Sequence, residues 1–258
     1  MLLVKKALLS AFFIASVSSG AATAQCQPEG ESFAVEIERV VDGDTVRLGN
    51  GRSLRILGIN TPELNLGKGI PEPLAELASA ELKRLVTAAQ ARLVLGQEPE
   101  DRYKRLLGHL LLDGVNAAEY LLSQGFGWAV VVEPNTGQAD CLFAAESVAR
   151  AKGIGVWKYP IARAASLRKG GFALVRGAVT HIDTTAKYIY IELDDHLALR
   201  LLRKQLSSAE VARVNSSVGR LIEARGWVID RRKQVRSGSG FKPYLLPITS
   251  AWHWHMPD

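Results

Sequence analysis

Cysteine is scarce: two occur in 258 residues, Cys26 and Cys141. That excludes a disulfide-dense scaffold and a cysteine-based zinc module. After the first two dozen residues no stretch is long and apolar enough to span a bilayer, which excludes a polytopic membrane protein. Clear repeats and low-complexity tracts are lacking as well. With 47% hydrophobic and 22% charged residues, the chain is neither a disordered polymer nor a collagen. Its length allows one large domain or two small ones.

The one long apolar stretch stands at the start. Lys5 and Lys6 precede Ala7 to Val17, and Ala22-Thr23-Ala24 fits the small-x-small cleavage rule, so residues 1–24 read as a signal peptide. The rest is then expected to be exported, either secreted or periplasmic, without stable membrane insertion. An oxidising compartment permits a Cys26–Cys141 disulfide; two inert buried thiols are the alternative.

Charge divides the chain. Residues 25–160 carry 14 Lys/Arg and 18 Asp/Glu, and residues 161–258 carry 16 and 8. An acidic first half and a basic second half suggest acidic chemistry beside a surface that attracts a polyanion. A domain over 25–160, a linker over 161–170 and a basic domain over 171–258 are expected.

In the first half, alternation from Phe33, Asp42-Gly43-Asp44-Thr45 as a tight turn, and Asn50-Gly51 as a hairpin turn indicate strands. Leu74 to Ala89 has helical spacing, Asn116 with Glu119 reads as a capping box, and Ala139 to Lys152 is a further helix closed by Gly153. The sum is a barrel carrying three helices.

Acidic oxygens at a glycine turn suit a hard cation, although Asp42 and Asp44 taken alone fit a solvated turn better. Glu63 follows Thr61-Pro62, and a stiff turn holds its carboxylate where it can orient and deprotonate water. Arg55 lies among Leu54, Ile56 and Leu57, an apolar setting for a guanidinium. Arg105 begins another strand. Two guanidiniums and a cation would neutralise the charge that develops on a phosphodiester under attack.

The ordered blocks Asp42-Gly43-Asp44-Thr45-Val46, Arg55 to Glu63, Asp101-Arg102-Tyr103-Lys104-Arg105, Val115 to Gly125 and Gly153 to Trp157 resemble the staphylococcal nuclease family over residues 32–160. The resemblance implies a mainly β fold with α-helices, a five-stranded OB-type barrel carrying three helices. It implies cleavage of DNA and RNA with Ca²⁺ to leave 3′-phosphates. By motif position Arg55 and Arg105 correspond to catalytic arginines and Glu63 to the general base. Asp44 and the Thr61 carbonyl correspond to calcium ligands, and Asp42 to an outer carboxylate.

Three positions depart from the family pattern. Asn60 stands where the family has a second calcium-binding aspartate; its side-chain carbonyl oxygen still offers a metal ligand, but the lost negative charge weakens Ca²⁺ binding or admits Mg²⁺ or another divalent cation. Lys104 replaces a glycine and strains a left-handed backbone, yet offers a phosphate contact. Val130 and Val132 stand where relatives carry tyrosines, leaving Tyr103 and Trp128 as stacking surfaces.

The second half reads as strands at 172–180, 188–193 and 219–229, an ambiguous run at 197–202, a short helix near Ser208, and a proline-flanked edge strand at 243–248. That order fits a second small OB-like barrel. Lys187, Arg200, Arg225, Arg231, Arg232 and Lys233, interleaved with Tyr188, Tyr190 and Trp227, are its candidate nucleic-acid contacts. The expectation is a monomeric exported endonuclease acting on DNA or RNA that is single-stranded or locally open. An inactive nucleic-acid-binding relative and a structural envelope protein are the alternatives.

Overall fold

Buried and exposed residues alternate along the strands and close two barrels, one in each half. The computed structural model describes residues 26–65, 69–234 and 240–257; the expected signal peptide lies outside them. The first half runs β1 (Ser32–Ala34), β2 (Ile37–Val40), β3 (Thr45–Leu48), β4 (Ser53–Ile56), β5 (Gly58–Asn60), α1 (Ala75–Ala88), β6 (Ala91–Glu100), β7 (Leu106–Leu112), β8 (Val115–Asn116), α2 (Ala117–Ser123), β9 (Trp128–Val130) and α3 (Ala139–Lys152). β2, β3 and β4 pair in antiparallel succession, β4 joins β7 in parallel, and β7 pairs with β6. β6 returns to β1. β1 and β2 form one strand interrupted at Val35 and Glu36, so the ring closes.

Val46, Leu54, Ile56, Leu93 and Leu110 fill this barrel, and Leu82, Leu121 and Leu142 bring the three helices onto it. Each such side chain stabilises the fold by about 1.5–3 kcal/mol when fully buried. Cys26 and Cys141 form a disulfide with Cα atoms 5.6 Å apart, tying the first described residue to α3. Asn116 caps α2 by accepting from the Ala118 N–H. Glu119 does not complete the expected capping box: its carboxylate accepts instead from the Cys26 N–H at 2.8 Å.

The second half runs β10 (Ala162–Arg163), β11 (Gly171–Thr184), β12 (Tyr188–Leu193), β13 (Leu197–Leu202), α4 (Ser208–Asn215), β14 (Leu221–Asp230), β15 (Tyr244–Pro247) and β16 (Trp254–His255). Its strands close in the order β11-β12-β13-β15-β14-β11, with only β13–β15 parallel. This is the connectivity of the first barrel, with a helix again between third and fourth strands. Both are OB-type barrels. β10 pairs with β11, and Ala164 and Leu167 join the second core, so residues 161–170 pack against that barrel.

Two further expectations change. Residues 243–248 are not an edge strand, because barrel closure inserts β15 between β13 and β14. Its prolines are tolerated at the two ends, and the Ile248 N–H continues the ladder to the Arg200 carbonyl at 3.0 Å. Arg225 is not a nucleic-acid contact. It is 4% exposed and forms an ion pair with Glu146 of α3 at 2.6 Å.

That pair belongs to an interface joining the barrels. Arg225 also donates to the Ala129 carbonyl, and Arg150 of α3 grips Glu223 through both terminal nitrogens. The Trp252-His253-Trp254-His255 segment is part of the same seam. Trp252 packs on Phe143, and His253 Nε2 accepts from the Val131 N–H at 3.2 Å. Burial, aided by the nearby Arg225 charge, lowers the His253 pKa to about 4, which keeps the ring neutral and able to accept. Among the described residues no helix is long and apolar enough to cross a membrane.

Candidate active site

The acidic turn between β2 and β3 is pressed against the segment that follows β5. A Cβ on Gly43 would lie 2.6 Å from Thr61 Oγ1 and 2.8 Å from Ala78 Cβ, so only glycine permits the approach. Asp44 follows and is buried. Its Oδ2 accepts from the Thr61 N–H at 2.8 Å and pairs with Arg55 at 3.0 Å, while Oδ1 accepts from the Thr45 hydroxyl. Asp42 Oδ1 accepts from the Asp44 N–H at 3.1 Å. Burial, then the adjacent Asp44 carboxylate, raises the Asp42 pKa to about 7.

Arg55 sits on β4 opposite Thr45. Both of its terminal nitrogens are engaged. One donates to the carbonyls of Ile56 and Ile59, each at 2.8 Å, and the other to Asn60 Oδ1 and Asp44. These bonds satisfy the guanidinium in its apolar setting. Asn60 uses its oxygen on Arg55 and directs its amide toward the Thr61 carbonyl at 3.4 Å. Its oxygen therefore faces the arginine.

Arg105 is set by the turn before β7. Asp101 Oδ1 accepts from the backbone N–H groups of Tyr103 and Arg105, and Oδ2 takes Arg105 Nε at 2.7 Å. Its terminal nitrogens have no hydrogen bond among the described residues, so Arg105 keeps a free fork. Asp101 thus positions Arg105; in the sequence its signal is an aspartate opening a turn that ends in an arginine. Lys104 adopts the left-handed conformation at φ 63° with its side chain 86% exposed, and lies 3.9 Å from Glu100. The backbone at this position favours glycine by about 1–2 kcal/mol.

Glu63 is exposed. Its N–H donates to Glu72 Oε2 at 3.1 Å, and the Glu72 N–H donates to the Glu63 carbonyl at 2.9 Å. Partial desolvation and then Asp44 raise the Glu63 pKa, while Arg55 and Arg105 pull it down. Asp44, Glu63 and the two arginines therefore share one electrostatic neighbourhood.

Arg55, Tyr103 and Arg105 line a common cleft of about 420 Å³ with Val130, Val132 and Trp227. Trp128 lies elsewhere. It packs on Phe172 in a second cavity with Pro62 and Trp157. Tyr103 and Trp128 thus serve different cavities. Cys26, Cys141 and Glu119 also come close together, but a disulfide supplies no thiolate and this is not a metal centre.

The sequence model of the family described as "Staphylococcal nuclease homologue" matches residues 53–159. The thermonuclease of Staphylococcus intermedius is 30% identical over 132 residues, covering 50% of this chain and 77% of that protein. The chain belongs to the staphylococcal nuclease family. Among other members, the SPbeta prophage-derived endonuclease YokF of Bacillus subtilis (strain 168) is 34% identical over 49% of this chain and 45% of its own length. Endonuclease YncB of the same organism is 32% identical over 48% of this chain and 61% of its own length. The chain thus spans less than two thirds of these two relatives, and the family match ends before β10.

Proposed function

We propose that this family member is an exported endonuclease that hydrolyses phosphodiester bonds of DNA or RNA with a divalent cation, Ca²⁺ in the first instance, and leaves 3′-phosphates. One arrangement carries the reading: Asp44 is paired with Arg55, Asp101 holds Arg105 with its terminal nitrogens free, and Glu63 lies within the field of these groups. A carboxylate whose pKa is raised above the ordinary glutamate value by partial burial and Asp44, within the field of an arginine with a free fork, suits water activation beside a phosphate. The relatives' names, two of them endonucleases and one a thermonuclease, point the same way. The Cys26–Cys141 disulfide supports export into an oxidising compartment.

The donor set fits a hard cation. Burial, with the Asp44 carboxylate beside it, lets Asp42 retain a proton near neutral pH, and a cation there would offset both the desolvation and the repulsion. Asp44, the Thr61 carbonyl and Asp42 would hold it; Asn60 supports the site through Arg55 and is not assigned as a ligand. When bound, the ion supplies Lewis-acid stabilisation to a phosphate oxygen.

In the reaction proposed, Glu63 takes a proton from the water that attacks phosphorus; the new P–O bond replaces the P–O5′ bond, leaving a 3′-phosphate on one fragment and a 5′-oxygen on the other that is protonated to the hydroxyl by solvent or by the proton Glu63 has taken. Arg105 directs its terminal nitrogens at nonbridging oxygens, with Asp101 holding its orientation. Arg55, saturated by protein acceptors, adds fixed positive charge and keeps Asp44 and Asn60 in place. Lys104 adds charge at the rim.

Full chain incubated with supercoiled plasmid or single-stranded RNA in Ca²⁺ or Mg²⁺ should nick the plasmid and leave 3′-phosphate ends, and chelator should stop the reaction. Bound but intact substrate under every condition would support the inactive binding relative instead. No binding and no salt sensitivity would point to a structural envelope role.

A further inference from the structure

We propose that the second barrel completes the substrate cleft, with Trp227 of β14 as the stacking platform for a base adjoining the phosphate held at Arg105. Trp227 lines the cleft that contains Arg55, Tyr103 and Arg105, although it comes from the other barrel. It is 45% exposed, while Ile222, Ala224 and Val228 of the same strand are buried in the core. An indole left open beside guanidiniums that attract a polyanion is placed to receive a base.

The ring is also held in position. Phe172 is its cross-strand partner on β11, with ring centroids 5.5 Å apart and planes at 70°. Phe172 packs in turn on Trp128 of the first barrel at 5.4 Å. Two residues before Trp227, Arg225 locks the same strand to α3 through Glu146. The first barrel offers this cleft one ring of its own, Tyr103. Arg102 lies over that ring at 4.8 Å and Arg105 at 5.7 Å. Val130 and Val132 bring no ring. The inference rests on the nuclease reading for the placement of the phosphate.

The test uses full chain carrying Glu63→Gln, so that substrate survives, with or without Trp227→Ala or Trp227→Phe. Fluorescence anisotropy compares a labelled single-stranded oligonucleotide with an abasic strand of equal length. Trp227→Ala should weaken binding of the base-bearing strand by about 5–100-fold. Trp227→Phe should restore most of the loss, and all three proteins should bind the abasic strand alike. Equal affinity of Trp227→Ala and its parent for the base-bearing strand would overturn the assignment, as would equal weakening toward both strands. Cleavage is scored separately with Glu63 intact, so a protein that binds through Trp227 without cutting sinks only the nuclease reading. Circular dichroism confirms that each variant is folded.

Discussion

Glu63→Gln should lower the cleavage rate by about 10²–10⁴-fold, the range for loss of a positioned general base, with an unchanged thermal transition. Glutamine keeps the size of the side chain but cannot take the proton. Glu63 is exposed, and its backbone N–H and C=O bonds to Glu72 survive the change. Arg105→Gln should cost about 10²–10³-fold, because the free fork that meets charge developing on the phosphate is removed. If each acts on the same phosphate, the double variant will be no worse than the product of the two losses, and strong coupling will leave it better. Single-turnover cleavage of one labelled oligonucleotide, with denaturation curves alongside, measures both effects. Full activity in the double variant would remove the mechanism.

Arg225→Ala is expected to have the largest effect on stability. The partner it abandons, Glu146, is 3% exposed and accepts from the Ala129 N–H as well as from the guanidinium. Removing one member of such a pair leaves an uncompensated charge in a low-dielectric seam and costs about 3–5 kcal/mol. Glu146→Ala should cost a similar amount. Replacing the two together with apolar residues, Arg225→Met with Glu146→Leu, should recover part of the loss: desolvation of both charges is then avoided, but the buried N–H and C=O of Ala129 lose their partners. Urea unfolding of the four proteins separates these outcomes. A single variant that unfolds with the parent would show that the barrels are not held through this pair.

The first barrel and its site were largely legible because strand alternation, turn glycines and spaced acidic and basic motifs all lie within one stretch of sequence. Asp42, Asp44 and Arg55 are linked by direct contacts, and Glu63 lies within the field of Asp44, Arg55 and Arg105. What escaped were pairings between distant residues. Nothing local marks Arg225 as the partner of Glu146, 79 positions away, and a lone arginine in a basic half reads as surface charge. Trp227 was legible as an aromatic beside basic residues, but its place in the cleft depends on how the barrels dock. Asn60 was read as a ligand because its oxygen suits a cation; the saturation of Arg55 redirects that oxygen. The edge-strand expectation failed because prolines mark strand ends as well as sheet edges, and only closure decides between them.

Titration of the Glu63 carboxyl by carbon-detected NMR, in metal-free wild type and in Arg105→Gln, tests most directly whether these groups meet around one phosphate. Burial and Asp44 should hold the wild-type midpoint above the ordinary glutamate value. Loss of the Arg105 charge, which favours the carboxylate, should raise it further. An ordinary midpoint that stays fixed when Arg105 is removed would place the two side chains in separate environments and contradict the site described.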